Sequence, residues 1–131
     1  MTETDQHFVD LITSHRDDEC CMFTTTGRRS GRPHRIEIWF GVLDDTVYLI
    51  CGNGPSAHWF QNALANPGVT IEFDDQLVHG LASALDDAGT RRRVGDLMGA
   101  KYPWDGDPSI GLSREKWCYE VPVLAIRTVV P

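Results

Sequence analysis

The sequence has no uninterrupted apolar run approaching the ~20 residues that a membrane-spanning helix requires, so no membrane span is expected in its 131 residues. It has no basic excess either: 12 Lys and Arg stand against 19 Asp and Glu, for a formal charge of -7. General nucleic-acid binding is therefore not expected, because that function needs a positive surface across the domain. The opening residues Met1 to His7 are polar and acidic and lack the basic, apolar, small-residue order of a signal peptide. A cytoplasmic location is the expectation. Cys20, Cys21, Cys51 and Cys118 form no C-x-x-C pair, which points to buried free thiols rather than a redox or metal motif. The histidines at 7, 15, 34, 58 and 79 lack the H-E-x-x-H arrangement that sets two ligands on one helix face. Asp105 and Asp107 resemble the start of a calcium loop, but no acidic residue follows at the twelfth position. No metal is expected. With no internal repeat and no low-complexity linker, the chain reads as one domain over residues 1–131.

What is present, against that acidic background, is Gly27-Arg28-Arg29-Ser30-Gly31-Arg32-Pro33-His34-Arg35. Four of the twelve basic residues fall within the eight positions 28 to 35. Glycines on either side permit positive φ, so backbone N–H groups and arginine forks can converge on one point. Guanidinium pairs with phosphate or carboxylate in bidentate fashion. The segment reads as a loop that captures an anion, with a merely solvated basic hairpin as the plain alternative.

Around this loop the pattern is mostly strands. Phe8, Leu11, Ile12 and His15 predict a short helix from about Asp5 to His15. Cys20 to Thr26 reads as a strand, and the alternation of Ile36, Ile38, Phe40 and Val42 with Arg35, Glu37, Trp39 and Gly41 predicts another. Thr46 to Cys51 is a third, after an Asp44-Asp45 turn. Ser56 is placed to cap a helix over Ala57 to Ala65 that Asn66-Pro67-Gly68 stops. A hairpin follows, from Val69 to Phe73 and from Gln76 to Leu85. Asp86 or Asp87 would cap a longer helix reaching Tyr102, and Trp117 to Val130 reads as the closing strand. Six short strands with about three inserted helices predict a mainly β (α+β) fold, an antiparallel barrel that removes the exposed sheet edges.

Gly52-Asn53-Gly54-Pro55-Ser56-Ala57 matches G-x-G-x-x-A after a strand, with Glu72 some twenty residues on, as in a dinucleotide-binding fingerprint. The Asp-Asp turns are too short for the crossovers of a parallel sheet, and Glu72 sits inside a strand. That reading is set aside.

Thr24 to Pro33, then Trp39-Phe40, then Trp59-Phe60-Gln61-Asn62-Ala63-Leu64-Ala65-Asn66-Pro67-Gly68-Val69, resembles the deazaflavin-dependent nitroreductase family. That family belongs to the split β-barrel group of pyridoxamine-phosphate-oxidase-like flavin proteins. The family wording T-x-G-R-x-S-G-x-P and W-x-x-N-L-x-x-x-P is met in order, with Ala63 in place of leucine. The resemblance implies a six-stranded split barrel and an oxidoreductase that takes hydride from reduced coenzyme F-420, an 8-hydroxy-5-deazaflavin, for an electron-poor quinone, enone or nitro acceptor. It also implies that Arg28, Arg29 and Ser30 meet the cofactor's phosphate or polyglutamate tail. Arg35, Ile36, Glu37, Trp39, Gly52, Asn53, Trp59 and Asn62 would complete the cofactor site. Tyr102, Trp104 and Trp117 are candidate pocket aromatics, and His58 or Tyr102 the candidate proton donors. FMN is the alternative cofactor, and a non-catalytic barrel that binds FMN, a haem-derived pigment or a lipid is the alternative function. A homodimer across Trp39, Phe40 and Tyr48 is expected.

Overall fold

The computed structural model describes residues 3–128. Seven strands form one antiparallel sheet in the order β2-β1-β5-β6-β9-β4-β3. These are β1 (Cys21–Thr26), β2 (Pro33–Ile38), β3 (Gly41–Leu43), β4 (Thr46–Ile50), β5 (Gly68–Phe73), β6 (Gln76–Ala84) and β9 (Val123–Thr128). β7 (Gly106–Asp107) and β8 (Leu112–Ser113) make a separate two-stranded ribbon. The helices are α1 (Glu3–Ser14), α2 (His58–Ala65), α3 (Ala88–Lys101) and α4 (Arg114–Tyr119). The outermost strands of the sheet, β2 and β3, are consecutive in sequence and joined only by Trp39 and Phe40. Two residues reach only about 10 Å, so the sheet must curl until its two edges nearly meet. That is a barrel split along one seam.

The one long strand expected through Arg35 to Val42 is thus two, which raises the strand count of the main sheet from six to seven. The break has a tertiary cause. The Phe40 N–H donates to the Tyr102 hydroxyl at 3.2 Å, and its carbonyl accepts from Lys101 Nζ at 2.9 Å. Backbone groups committed to α3 are lost to the ladder, and the chain turns a corner into β3.

Burial divides into two cores on either side of the β4–β9 pair. Val47, Leu49, Leu124 and Ile126 point into the barrel with Phe8, Phe23, Phe40, Phe60 and Phe73. Tyr48, Ile50, Val123 and Ala125 point outward, under Val94, Met98, Tyr102, Trp117 and Cys118. All five β4 residues are therefore buried, as an unalternating apolar run implies for a strand covered on both faces. Phe40 and Tyr48 lie in these cores at 0% and 5% exposure, so two of the three aromatics expected at a dimer face are used internally, while Trp39 is half-buried. Trp117 belongs to α4 and not to the closing strand, which begins only at Val123. Ser113 Oγ accepts from the Lys116 N–H and caps that short helix. Asp87 caps α3 by accepting from the Thr90 N–H at 2.7 Å. α2 begins one residue later than expected, and Ala57 rather than Ser56 stands at its cap without a side-chain bond.

Candidate functional site

Three cavities that share their lining residues form one trough beside α2. The first, about 350 Å³, is lined by Gly27, Arg28, Arg29, Ser30, His34, His58 and Asn62. His34, His58 and Asn62 pass into the second, about 360 Å³, which adds Ile36, Asn53 and Trp59. Those three continue into the third, about 380 Å³, walled by Trp39, Ile50, Gly52, Trp104, Leu112 and Trp117, with Glu37 and Asp107. One end is therefore cationic and the other aromatic.

The cationic end is made by the β1–β2 loop and fastened by α2. Asn62 is 4% exposed, and its Oδ1 accepts from the Arg28 guanidinium at 2.7 Å and the Arg28 N–H at 3.2 Å. The Arg28 guanidinium also lies 3.5 Å from His58 Nδ1. One turn further along α2, Asn66 Nδ2 donates to the Thr26 carbonyl at 3.3 Å. Two asparagines thus hold the loop's entry while Arg29 and Ser30 stay exposed. The loop closes on itself, with Gly27 N–H donating to the Arg32 carbonyl and Gly31 N–H to the Gly27 carbonyl. Gly31 sits at φ +70, and a Cβ on Gly27 would lie 2.7 Å from His34 Nε2. Here both glycines are required, one for positive φ and one for close approach.

The aromatic end is assembled from four separate segments. Trp39 stacks face to face on Tyr102, with centroids 4.3 Å apart and planes at 4°. Trp104 and Trp117 meet Trp39 edge-on at 6.2 and 5.9 Å, the favoured quadrupolar arrangement. Trp59 stands edge-on to Phe23 at 5.9 Å. A Cβ on Gly52 would lie 3.2 Å from Leu112 Cδ2 and 3.4 Å from the Trp117 ring, so glycine lets the β4–α2 loop close down on this wall.

Two arginines hold the wall from behind. Arg91 on α3 donates to the carbonyls of Trp117 at 3.2 Å and Val121 at 3.0 Å, and to that of Cys118. Arg114 on α4 donates to Tyr102 at 2.9 Å and Trp104 at 2.7 Å, and to the Gly99 carbonyl. Each helix thus sends a guanidinium to the carbonyl end of the other, where backbone acceptors lack partners and the dipole is negative. Burial pulls the Arg91 pKa down from its usual value.

Most of the residues expected from sequence come together in the trough: Arg28, Arg29, Ser30, Ile36, Glu37, Trp39, Gly52, Asn53, Trp59 and Asn62. Arg35 does not. It projects from β2 toward β5 and pairs with Glu72 at 2.6 Å, which also accounts for the glutamate of the dinucleotide-like pattern. Tyr102 is not placed as a proton donor: it is 4% exposed, its hydroxyl is 2.6 Å from the Glu19 carbonyl, and burial pushes its pKa up to about 12. His58 lies at the cationic end, apart from the tryptophan cleft. His34, Ile50, Asp107, Ile110 and Leu112 were not expected in the lining. For His34 a signal existed, since it shares a strand face with Ile36 two positions on. All four cysteines are free, and Cys21, Cys51 and Cys118 are buried as expected while Cys20 is only half-buried; burial pushes Cys21 to about 12 and Cys51 to about 11.

The donor set suits a cofactor with an anionic tail and an aromatic ring, because guanidinium forks and indole faces stand at opposite ends of one groove. No described helix is long and apolar enough to cross a membrane. The fold recurs in a structure described as an F420-H2 dependent reductase, at 22% identity and a TM-score of 0.64 over 84% of this chain and 95% of that one. A protein from Listeria innocua assigned as a pyridoxamine 5'-phosphate oxidase gives 17% identity and 0.63 over 98% and 95%. A haem storage protein from Vibrio cholerae gives 16% and 0.65 over 95% and 92%. None of the curated proteins matches the sequence. The family model for F420H(2)-dependent quinone reductases matches residues 5–115, a span that takes in the basic loop, α2 and most of the tryptophan wall. The chain belongs to the F420H(2)-dependent quinone reductase family and is an oxidoreductase dependent on coenzyme F-420.

Proposed function

We propose that the chain reduces a quinone, holding coenzyme F-420 along the trough with its anionic tail on the basic loop and its ring at the tryptophan end. The observation that carries this reading is the segregation of charge and aromatic surface along one groove. Arg28, Arg29 and Ser30 supply charge-assisted and neutral donors for phosphate and carboxylate, each charged contact contributing roughly 1.5 to 3 kcal/mol. Asn62 orients Arg28 for that task from below. Trp39, Trp59, Gly52 and Asn53 shape the slot that receives a planar ring, and Trp104 and Trp117 shield it from water.

When bound in its reduced form the cofactor supplies a hydride, and a quinone that gains a hydride and one proton becomes a hydroquinone. The chain's own part is positioning. With the Tyr102 hydroxyl committed to backbone carbonyls and His58 lining the first two cavities but not the tryptophan cleft, the proton comes from solvent. The test is to mix purified protein with reduced F-420 and menadione and follow the return of the oxidised deazaflavin band. Catalysed oxidation that saturates in menadione is expected. Tight F-420 binding without oxidation across quinone, enone and nitro acceptors would make the chain a non-catalytic carrier instead. Protein isolated yellow with FMN and indifferent to F-420 would move it to the flavin enzymes.

A further inference from the structure

Charge is sorted along the trough in a way that cofactor binding alone does not require. The two cavities nearest the basic loop are lined by Arg28, Arg29, His34 and His58, with no carboxylate among their lining residues. The tryptophan cleft is lined by Glu37 and Asp107, with no cationic side chain among its lining residues. An adjoining cavity, which shares Trp39 and Trp104 with that cleft, adds Asp17 and Glu19. Its one cation, Lys101, is turned inward, donating to the carbonyls of Arg16 at 3.0 Å and Phe40 at 2.9 Å and lying 3.8 Å from the Phe40 ring centroid.

We infer that Glu37 and Asp107 determine acceptor specificity, admitting neutral or cationic acceptors to the tryptophan cleft and rejecting anionic ones. The inference rests on the cofactor orientation proposed above. The physical reason is like-charge repulsion within a cleft whose indole walls lower the local dielectric constant. An acidic chain already repels anions at long range, and the basic loop offsets that field at one end only. With the cofactor's own tail on the basic loop, an anionic acceptor finds no countercharge left along the groove.

Glu37 is exposed on β2 opposite Met22, so Glu37→Gln alters charge with little demand on packing. Asp107 Oδ1 accepts from the Ser109 N–H at 3.0 Å and lies 2.5 Å from Ser109 Oγ, and Asn at this position keeps an acceptor oxygen for the turn. The experiment compares kcat/KM for menadione and for 1,4-naphthoquinone-2-sulfonate in the wild type, Glu37→Gln and Glu37→Gln with Asp107→Asn. Both acceptors meet the same reduced enzyme, so the ratio cancels any change in cofactor loading. Removing both carboxylates from the cleft should lower the preference for menadione roughly tenfold. The wild-type preference should also shrink as salt rises. Direct binding of 2-naphthol against 2-naphthalenesulfonate to the F-420-loaded protein, whose basic loop the tail then fills, is read by quenching of tryptophan fluorescence and gives the same comparison without turnover. A ratio that stays put in both variants, or a wild type that binds the sulfonate as well as the naphthol, overturns the inference. Loss of turnover with every acceptor would count against the quinone reading, while the binding ratio would still decide this one.

Discussion

The two ends of the trough differ in how they are held. At the cationic end the residues offered to a ligand are a half-buried Arg28 and exposed Arg29 and Ser30 on a self-closed loop, fastened to α2 by two asparagines. At the tryptophan end the lining residues are also pillars of the second core: Trp117 is 6% exposed and packs with Tyr102, Cys118, Val94 and Met98. One end can therefore change affinity without changing the fold, and the other cannot. The difference follows from burial, since exposed ions contribute little to folding while a buried aromatic contributes several kcal/mol.

Trp117→Ala is expected to have the largest effect on the fold. Loss of a buried indole should cost about 3 to 5 kcal/mol of stability, read as a lower urea midpoint in the cofactor-free protein. Arg28→Ala with Arg29→Ala should do the reverse, weakening F-420 binding a hundredfold or more at ~1.5 kcal/mol per contact. Stability should change little beyond the one bond that Asn62 loses. The pair Arg92→Ala with Arg93→Ala removes the same charge from exposed positions on α3 and should leave affinity within about threefold, as distant surface charge is screened.

Arg91 sharpens the contrast between arginines. Its run Arg91-Arg92-Arg93 looks like a solvated helix face in the sequence, yet Arg91 donates to three carbonyls of α4 and the turn after it. Arg91→Ala should cost about 2 kcal/mol through carbonyls left unpaired, and tryptophan emission should shift as Trp117 loosens. A last effect concerns pH. The Cys21 and Cys51 thiols are raised from 9.0 to about 12 and about 11, so the unfolded chain loses these protons first as pH rises. Stability from these groups is fully present below pH about 9 and declines as pH climbs from there toward 12. Urea midpoints between pH 8 and 11.5 would show the decline, and Cys51→Ser should make it shallower.

The same contrast explains what could be read in advance. The cationic end is nearly contiguous: one loop and one helix carry it, and Gly27 to Pro33 with Trp59 to Pro67 announce it. The tryptophan end is built from β2, the β4–α2 loop, the end of α3 and α4, and no local pattern places these together. The corner at Phe40 was hidden because its cause, Lys101 and Tyr102, lies some sixty residues away. α4 was hidden because its six residues include Trp117, Cys118 and Tyr119, bulky or polarisable side chains with no strong helix preference. Only the Ser113 cap marked its start. Arg35 was assigned to the site with the other residues the resemblance implied, but its pairing with the Glu72 carboxylate on β5 holds it elsewhere.

The proposed binding mode gives the cofactor a direction, with the anionic tail on the basic loop and the ring at the tryptophans. It is tested most directly by titrating wild type and the Arg28→Ala, Arg29→Ala variant with F-420 and with a deazaflavin that lacks the phosphate and glutamate tail. Removing the tail should cost the wild type a hundredfold or more in affinity and the variant less than about threefold, because both changes delete the same contacts. An equal loss in both proteins would contradict it, since the tail would then be bound somewhere other than the loop.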